Sequence, residues 1–359
     1  MKKSLQILFI FLMAFPFAQN KPDKTYIKEN YTKKEVYIPM RDGVKLFTSI
    51  YIPKNISKDK KLPFLMQRTC YSVAPYGENE FKNGLGPNPY LMKDGYIFVY
   101  QDVRGRYMSE GVFTNMTPQV ERKTKKDVDE STDTYDTIDW LLKNIENNNK
   151  KVGQFGTSYP GFYTAAGILA DHPALVASSP QAPISDFWND DFLHNGKFML
   201  GYFRTFPVFG VPKTKAEKEG WFMDSFIKPT SEDGLQFYRD LGTLKDGYDK
   251  YYKNNFFMTE IMNHPNYDEY WQKRSLLPHL KNVKHAVMTV GGWFDAEDLA
   301  GPLNIYKTIE KTSPKAKNTI VMGPFSHGAW AKENGKHFHN EIYFGDSIAT
   351  YYQKNLETK

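Results

Sequence analysis

The sequence predicts a doubly wound α/β sheet with an inserted, mostly helical cap. Three observations lead there. Short, continuously apolar runs alternate with segments of helical spacing, as in a parallel sheet buried on both faces. Several of these runs end in glycine-containing loops, where polar side chains gather beyond the strand ends. Between two of the runs, residues 187–280 change texture: aromatic-rich, with helical fragments and no convincing buried strand. At 359 residues the chain is long enough for one large α/β domain with an insertion, or for two domains.

Residues Met1–Ala18 carry Lys2 and Lys3, then an apolar run from Leu5 to Phe17, then Ala18. This reads as a secretory signal peptide, too short and wrongly flanked to span a membrane. No cysteine follows the run, so no lipid anchor is expected there. The mature chain is expected to begin near Gln19 and to work in a secreted or periplasmic setting. Cys70 is the only cysteine, so no internal disulfide can form. The net charge of +6 is modest, and no basic cluster is interleaved with aromatics to track a phosphate backbone. Nucleic acid is therefore not an expected partner.

Residues 19–186 hold the first part of the sheet domain. Glu35–Met40 and Val44–Ile52 read as strands joined by the Asp42-Gly43 turn. Leu62–Arg68 is a third strand, running into Thr69-Cys70-Tyr71, and Tyr96–Asp102 is a continuous apolar strand. Ile138, Leu141, Leu142 and Ile145 give Asp133–Ile145 helical spacing. A short strand through Val152 then enters Gly156-Thr157-Ser158-Tyr159-Pro160-Gly161, and a small-residue helix follows over Phe162–Ala170. Strand, tight turn, serine and helix make a nucleophile-elbow layout, although Gly-x-Ser-x-x-Gly is looser than Gly-x-Ser-x-Gly and recurs by chance. Pro160 suits the first helical turn, whose free N–H groups point at any oxyanion above Ser158. After the 187–280 cap, residues 281–359 resume the sheet. His285–Val290 ends at Gly291-Gly292-Trp293-Phe294-Asp295, and Asn318–Met322 ends at Gly323-Pro324-Phe325-Ser326-His327. Asp346–Leu356 reads as a last helix.

Ser158, Asp295 and His327 thus fall at three strand ends, in the chain order serine, acid, histidine of α/β-hydrolases. The chemistry needs these types together. A serine hydroxyl is a poor nucleophile until an imidazole removes its proton, and an acid fixes the tautomer and stabilises the imidazolium. Of the eight histidines, only His327 follows a late buried strand through a Gly-Pro turn. His337 and His339 lack a third ligand at a fitting spacing, so no metal and no cofactor are expected.

Several strings together carry a family likeness. They are Arg41-Asp42-Gly43, Arg68-Thr69-Cys70-Tyr71, Asp102-Val103-Arg104-Gly105, the Gly156–Gly161 elbow, Asp190-Asp191, Asp295-Ala296-Glu297-Asp298 and Gly323–His327. From about Lys34 to its end the chain resembles the α-amino acid ester hydrolases, within the group that includes cocaine-esterase-like hydrolases, glutaryl acylases and Xaa-Pro dipeptidyl peptidases. The resemblance implies an α/β-hydrolase fold with a helical cap, and an oxyanion hole of the Tyr71 hydroxyl and the Tyr159 backbone N–H. It also implies an ammonium-binding carboxylate cluster of Asp191, Glu297 and Asp298, with Asp190 not separable from Asp191 by sequence. Two features depart from the family: Cys70 stands where proline is usual, and the usual C-terminal jelly-roll domain is not expected before Lys359. An apolar face left by that domain would favour self-association into a homo-oligomer. The implied activity is a secreted serine hydrolase acting on esters or amides of α-amino acids, amino-acyl β-lactams included. Alternatives with the same triad are a dipeptidyl peptidase cutting after proline and a glutaryl acylase; a third is a non-catalytic remnant.

Overall fold

The computed structural model describes residues 24–121, 123–211, 213, 215–218, 227, 234–332, 336–339 and 341–359. The expected leader, residues 1–18, lies outside them. Eight strands form the central sheet: β1 (Tyr31–Pro39), β2 (Lys45–Pro53), β3 (Leu62–Thr69), β4 (Ile97–Asp102), β5 (Asn148–Thr157), β6 (Leu175–Gln181), β7 (Ala286–Gly292) and β8 (Asn318–Gly323). Their spatial order is β1-β2-β4-β3-β5-β6-β7-β8. The β1–β2 and β2–β4 pairings are antiparallel, and every pairing from β4 onward is parallel. Each parallel step needs a crossover, which is why helices alternate with strands from β3 on.

The reasons are local. All six residues of β4 are buried, as its apolar run requires. The turn between β1 and β2 uses Gly43 at φ 88°, the left-handed region that Asp-Gly turns need. Helix α3 (Glu130–Asn144) starts in a capping box of Asp129 and Thr132, three residues before the expected Asp133. Helix α4 (Tyr159–Ile168) is buried along its whole length, so its small residues let it sit against the sheet. Elements not apparent in the sequence include α1 (Lys24–Asn30), α2 (Pro89–Asp94) and strand β6. Ser178, Ser179 and Pro180 make β6 look unlike a buried strand; inside it, Ser178 is satisfied by Gln154 and His285.

Between β6 and β7 the described chain forms a small hairpin of Leu193–His194 with Lys197–Phe198 and two 3₁₀ turns, Leu200–Tyr202 and Phe206–Gly210. Four helices follow, α5 (Gly234–Leu241), α6 (Leu244–Tyr251), α7 (Phe256–Asn263) and α8 (Glu269–Gln272), and then a third 3₁₀ turn, Leu277–His279. The aromatics of this region pack onto α4 and onto one another: Phe209 lies 5.2 Å from Tyr159 between ring centroids, and Phe192 lies 4.5 Å from Phe257. Helix α9 (Ala300–Thr312) connects β7 to β8, and α10 (Ile348–Asn355) closes the chain beyond a hairpin of Lys336–His339 with Ile342–Asp346. The described residues contain no helix long and apolar enough to cross a membrane.

Several of the family-marking residues form buried and partly buried ion pairs rather than a site. Arg68 Nη1 meets Glu130 Oε2 at 2.9 Å, and its Nε donates to Gln101. Arg104 reaches Asp133 and Asp42, each at 2.7 Å, and Arg41 holds Asp136 at 2.8 Å. These pairs tie β3, the loop after β4 and the β1–β2 turn to α3.

Candidate active site

Strand β5 ends at Thr157, and Ser158 turns the chain into α4 at φ 67°, ψ −130°. A non-glycine residue is strained there, and only surrounding structure can hold it. The Ser158 N–H donates to Gln181 O at 3.0 Å, and its carbonyl accepts from Phe162 N at 3.0 Å. The two glycines of the elbow are required by close approach. A Cβ on Gly156 would lie 2.3 Å from Pro160 O, and one on Gly161 would lie 2.4 Å from Gln181 O. The second glycine therefore falls where α4 presses on the end of β6.

Asp295 lies just beyond β7. Its Oδ1 accepts the N–H groups of Glu297 and Asp298, each at 2.9 Å, and its carboxylate meets His327 Nδ1 at 2.9 Å (Oδ2) and 3.1 Å (Oδ1). Burial opposes its charge, but the His327 imidazole and the two N–H donors hold its carboxyl below the usual range. Burial likewise opposes charge on His327, yet Asp295, with Glu297 and Asp191 nearby, raises its pKa. With Nδ1 facing a carboxylate, the neutral ring keeps Nε2 as its proton acceptor. That Nε2 is buried and makes no hydrogen bond; Glu297 Oε2 stands 3.6 Å from it. The histidine loop abuts the elbow, since a Cβ on Gly328 would lie 3.6 Å from Thr157 Cγ2.

Tyr71 follows β3 and hydrogen-bonds Ser158 through its side chain. Burial holds its phenol well above the usual value, so it stays protonated and able to donate. The Tyr159 ring is a core element: its hydroxyl accepts from Met116 N and donates to Asn115 Oδ1. Its N–H lies in the first turn of α4, which has no intrahelical acceptor. Cys70 is fully buried beside Tyr163, and burial pushes its thiol up to about 12.

Asp190 and Asp191, inseparable in the sequence, face different surroundings. Asp190 is a structural link: Oδ2 accepts from Ser185 N and Oγ, and Oδ1 from Gly301 N at 2.8 Å. Asp191, at φ 64°, turns the next side chain elsewhere, and its N–H donates to Glu297 O. Its Oδ1 and both carboxylate oxygens of Asp298 are buried without a hydrogen-bond partner. Burial first, and the neighbouring acids next, raise both carboxyls well above the usual range. Asp298 Oδ2 lies 4.0 Å from His327 Nδ1. The structure thus gathers Asp191, Glu297 and Asp298 around His327, and adds a residue the sequence reading missed. Tyr202, from the region between β6 and β7, hydrogen-bonds Glu297, and burial with the Glu297 and Asp191 charges raises its phenol. Nothing in the local pattern singles it out among the many tyrosines there. His339 is placed differently, stacked on Phe294 at 3.9 Å between centroids.

Sheet order, crossovers and the serine turn at the end of β5 define an α/β-hydrolase fold. The model of the X-Pro dipeptidyl-peptidase (S15) family matches residues 42–329, and the chain belongs to that family. It is 26% identical over 323 residues to the cocaine esterase of Rhodococcus sp. (strain MB1 Bresler), across 83% of this chain and 49% of that one. Among solved structures it is similar to an aminopeptidase from the marine sediment archaeon Thaumarchaeota archaeon (TM-score 0.77, 31% identity, 91% of this chain and 53% of that one). It is also similar to an α-amino acid ester hydrolase (TM-score 0.78, 29% identity, 95% and 55%). The chain spans about half the length of these relatives.

Proposed function

We propose that the protein is a serine hydrolase that cleaves esters or amides of amino acids with a free α-ammonium group. His327 Nε2 takes the Ser158 Oγ proton as Oγ attacks the carbonyl carbon. The tetrahedral oxyanion is held by the Tyr71 hydroxyl and the Tyr159 N–H. Collapse expels the alcohol or amine, which takes its proton from His327, and water then releases the acyl group by the same path. One observation carries the substrate class: Asp191 and Asp298 bury unpartnered carboxylate oxygens beside His327, and no Lys or Arg among the described residues forms an ion pair with either. Buried carboxylates need a cation or a proton. An α-ammonium lies only a few bonds from the carbonyl that Ser158 would attack, so it can serve as that cation.

The likeness to an α-amino acid ester hydrolase and an aminopeptidase supports this reading. Membership of the X-Pro dipeptidyl-peptidase family favours a second reading, a dipeptidyl peptidase acting after proline. Secretion or periplasmic export rests on the Lys2–Ala18 pattern. The test compares kcat/KM for phenylalanine methyl ester, its N-acetyl form and an Ala-Pro anilide. Charge-assisted hydrogen bonds are worth about 1.5–3 kcal/mol, so the free ester should lead its acetylated form by roughly 10- to 150-fold. Glu297→Gln should narrow that lead, mostly by slowing the free ester. Equal rates on free and blocked esters would remove the ammonium role, and a preference for the Ala-Pro anilide would move the assignment to the dipeptidyl reading.

A further inference from the structure

Gln181, the last residue of β6, is almost fully buried, and its side chain ties three remote parts of the chain together. Its Oε1 accepts from Thr157 Oγ1 at 3.2 Å, one residue before Ser158. The same oxygen accepts from Trp330 Nε1 at 2.7 Å, three residues after His327. Its Nε2 donates to Glu357 Oε1 at 2.6 Å and to Ser179 Oγ at 3.3 Å. Its backbone carbonyl receives the Ser158 N–H. Glu357 is fixed in turn by Asn88 Nδ2 at 2.7 Å and Tyr352 Oη at 3.2 Å. The Trp330 ring is fully buried, and its carbonyl accepts from Gln353 Nε2 of α10. One amide thus bridges the serine turn, the histidine loop and the C-terminal segment.

We infer that Gln181, anchored by Glu357, is a positioning residue that holds Ser158 and His327 in mutual register. The inference rests on the serine-hydrolase reading. Geometry supplies the reason. Ser158 sits in a strained turn, and His327 Nε2 has no hydrogen bond of its own to fix its distance from Ser158. Elements that support both must then set that distance, and misplacement by about 1 Å can cost on the order of 100-fold. A single acceptor oxygen shared by Thr157 and Trp330 is such an element. The donor order is also fixed: the Trp330 indole N–H can only donate, so Oε1 must face it, which leaves Nε2 for Glu357.

The test uses the full chain with a fluorophosphonate that phosphonylates the active serine, alongside ester hydrolysis and thermal melting. Gln181→Leu and Trp330→Phe should each slow labelling and kcat by roughly 10- to 100-fold, with KM within about threefold of wild type. The acid limb of kcat/KM should move to lower pH in Trp330→Phe, because His327 then sits less well against Asp295. The groups facing His327 are Asp295, Glu297, Asp298 and Asp191, and none of them is altered. A purely structural role would lower the amount of folded protein and leave that limb in place. Gln181→Glu should be the slowest, since it sets two carboxyl groups against each other; adding Glu357→Gln reverses donor and acceptor and should restore at least half of the lost rate. If Gln181→Leu does not fold, the Trp330→Phe and exchange variants decide the matter. Trp330→Phe and Gln181→Glu labelling at the wild-type rate would overturn this inference alone. No labelling of the wild type would overturn the hydrolase reading, and this inference with it.

Discussion

Two buried clusters of acids lie in this molecule, and they are satisfied in opposite ways. Around α3, Glu130 and Asp133 are buried, and Arg68 and Arg104 meet them at 2.7–3.5 Å. Beside the elbow, Asp191 and Asp298 are equally buried, but among the described residues no Lys or Arg pairs with them, and the imidazole nearest Asp298, His327, already belongs to Asp295. Burial pushes the carboxyls up in both places; in the first, arginines pull back against it. The first cluster is thus a scaffold, and under the proposed function the second takes its counter-charge from the substrate ammonium. In the sequence, the family likeness singles out Asp191, Glu297 and Asp298, whereas Arg68 and Arg104 stand in its marking strings with no role attached.

The sharpest separation of the two clusters comes from the chemistry. Ser158→Ala and His327→Ala should each lower kcat by about 10⁴- to 10⁶-fold, because residues of a triad act as a unit. Their unfolding midpoints should stay close to wild type, since alanine at position 158 keeps the Cβ and with it the same strain in that turn. Retention of a tenth of the activity by Ser158→Ala would rule out an acyl-enzyme on that serine.

The α3 network should show the reverse. Arg68→Met leaves Glu130 without its guanidinium and Asp133 with Arg104 alone. Breaking a buried pair costs about 3–5 kcal/mol. Urea unfolding should show a loss of that size, with kcat per labelled serine within a few-fold of wild type. A loss below about 1 kcal/mol would mean that the network is replaceable, and the contrast between the clusters would lose its meaning.

How much of this could be read beforehand follows from distance along the chain. The strand ends were legible because apolar runs and glycine loops are local signals, and Ser158, Asp295 and His327 each sit at one. Strand β6 was not, because serines and a proline hid it and their partners, Gln154 and His285, come from elsewhere. Gln181 was invisible for the same reason: Thr157, Trp330 and Glu357 stand 24, 149 and 176 positions away. Asp190 and Asp191 could be told apart only by the backbone, which turns to positive φ at the second. Tyr202 sits in a stretch whose aromatic texture marks a core and gives no sign that one ring reaches Glu297.

The smallest expected effect tests whether the second cluster really lacks its cation. Asp298 is fully buried, and burial, followed by Asp191, raises its pKa well above the ordinary carboxylate value. The folded state therefore holds this proton to higher pH than the unfolded chain, whose aspartates titrate near about 4. Linkage then fixes the sign. The stability from Asp298 is fully present below about pH 4 and is lost as pH rises through the folded value, because the folded state binds more protons across that window. Asp298→Asn keeps the shape and removes the titration. The variant should be more stable than wild type at pH 8, by about 1 kcal/mol, and the difference should close towards pH 4. A saturating amino acid amide should then stabilise wild type more than the variant, whose cluster has one carboxylate fewer. Chemical unfolding at pH 4, 6 and 8, with and without the amide, measures all of this. A variant less stable than wild type at pH 8 would show that the fold already supplies a partner for Asp298, and the two clusters would then differ in degree and not in kind.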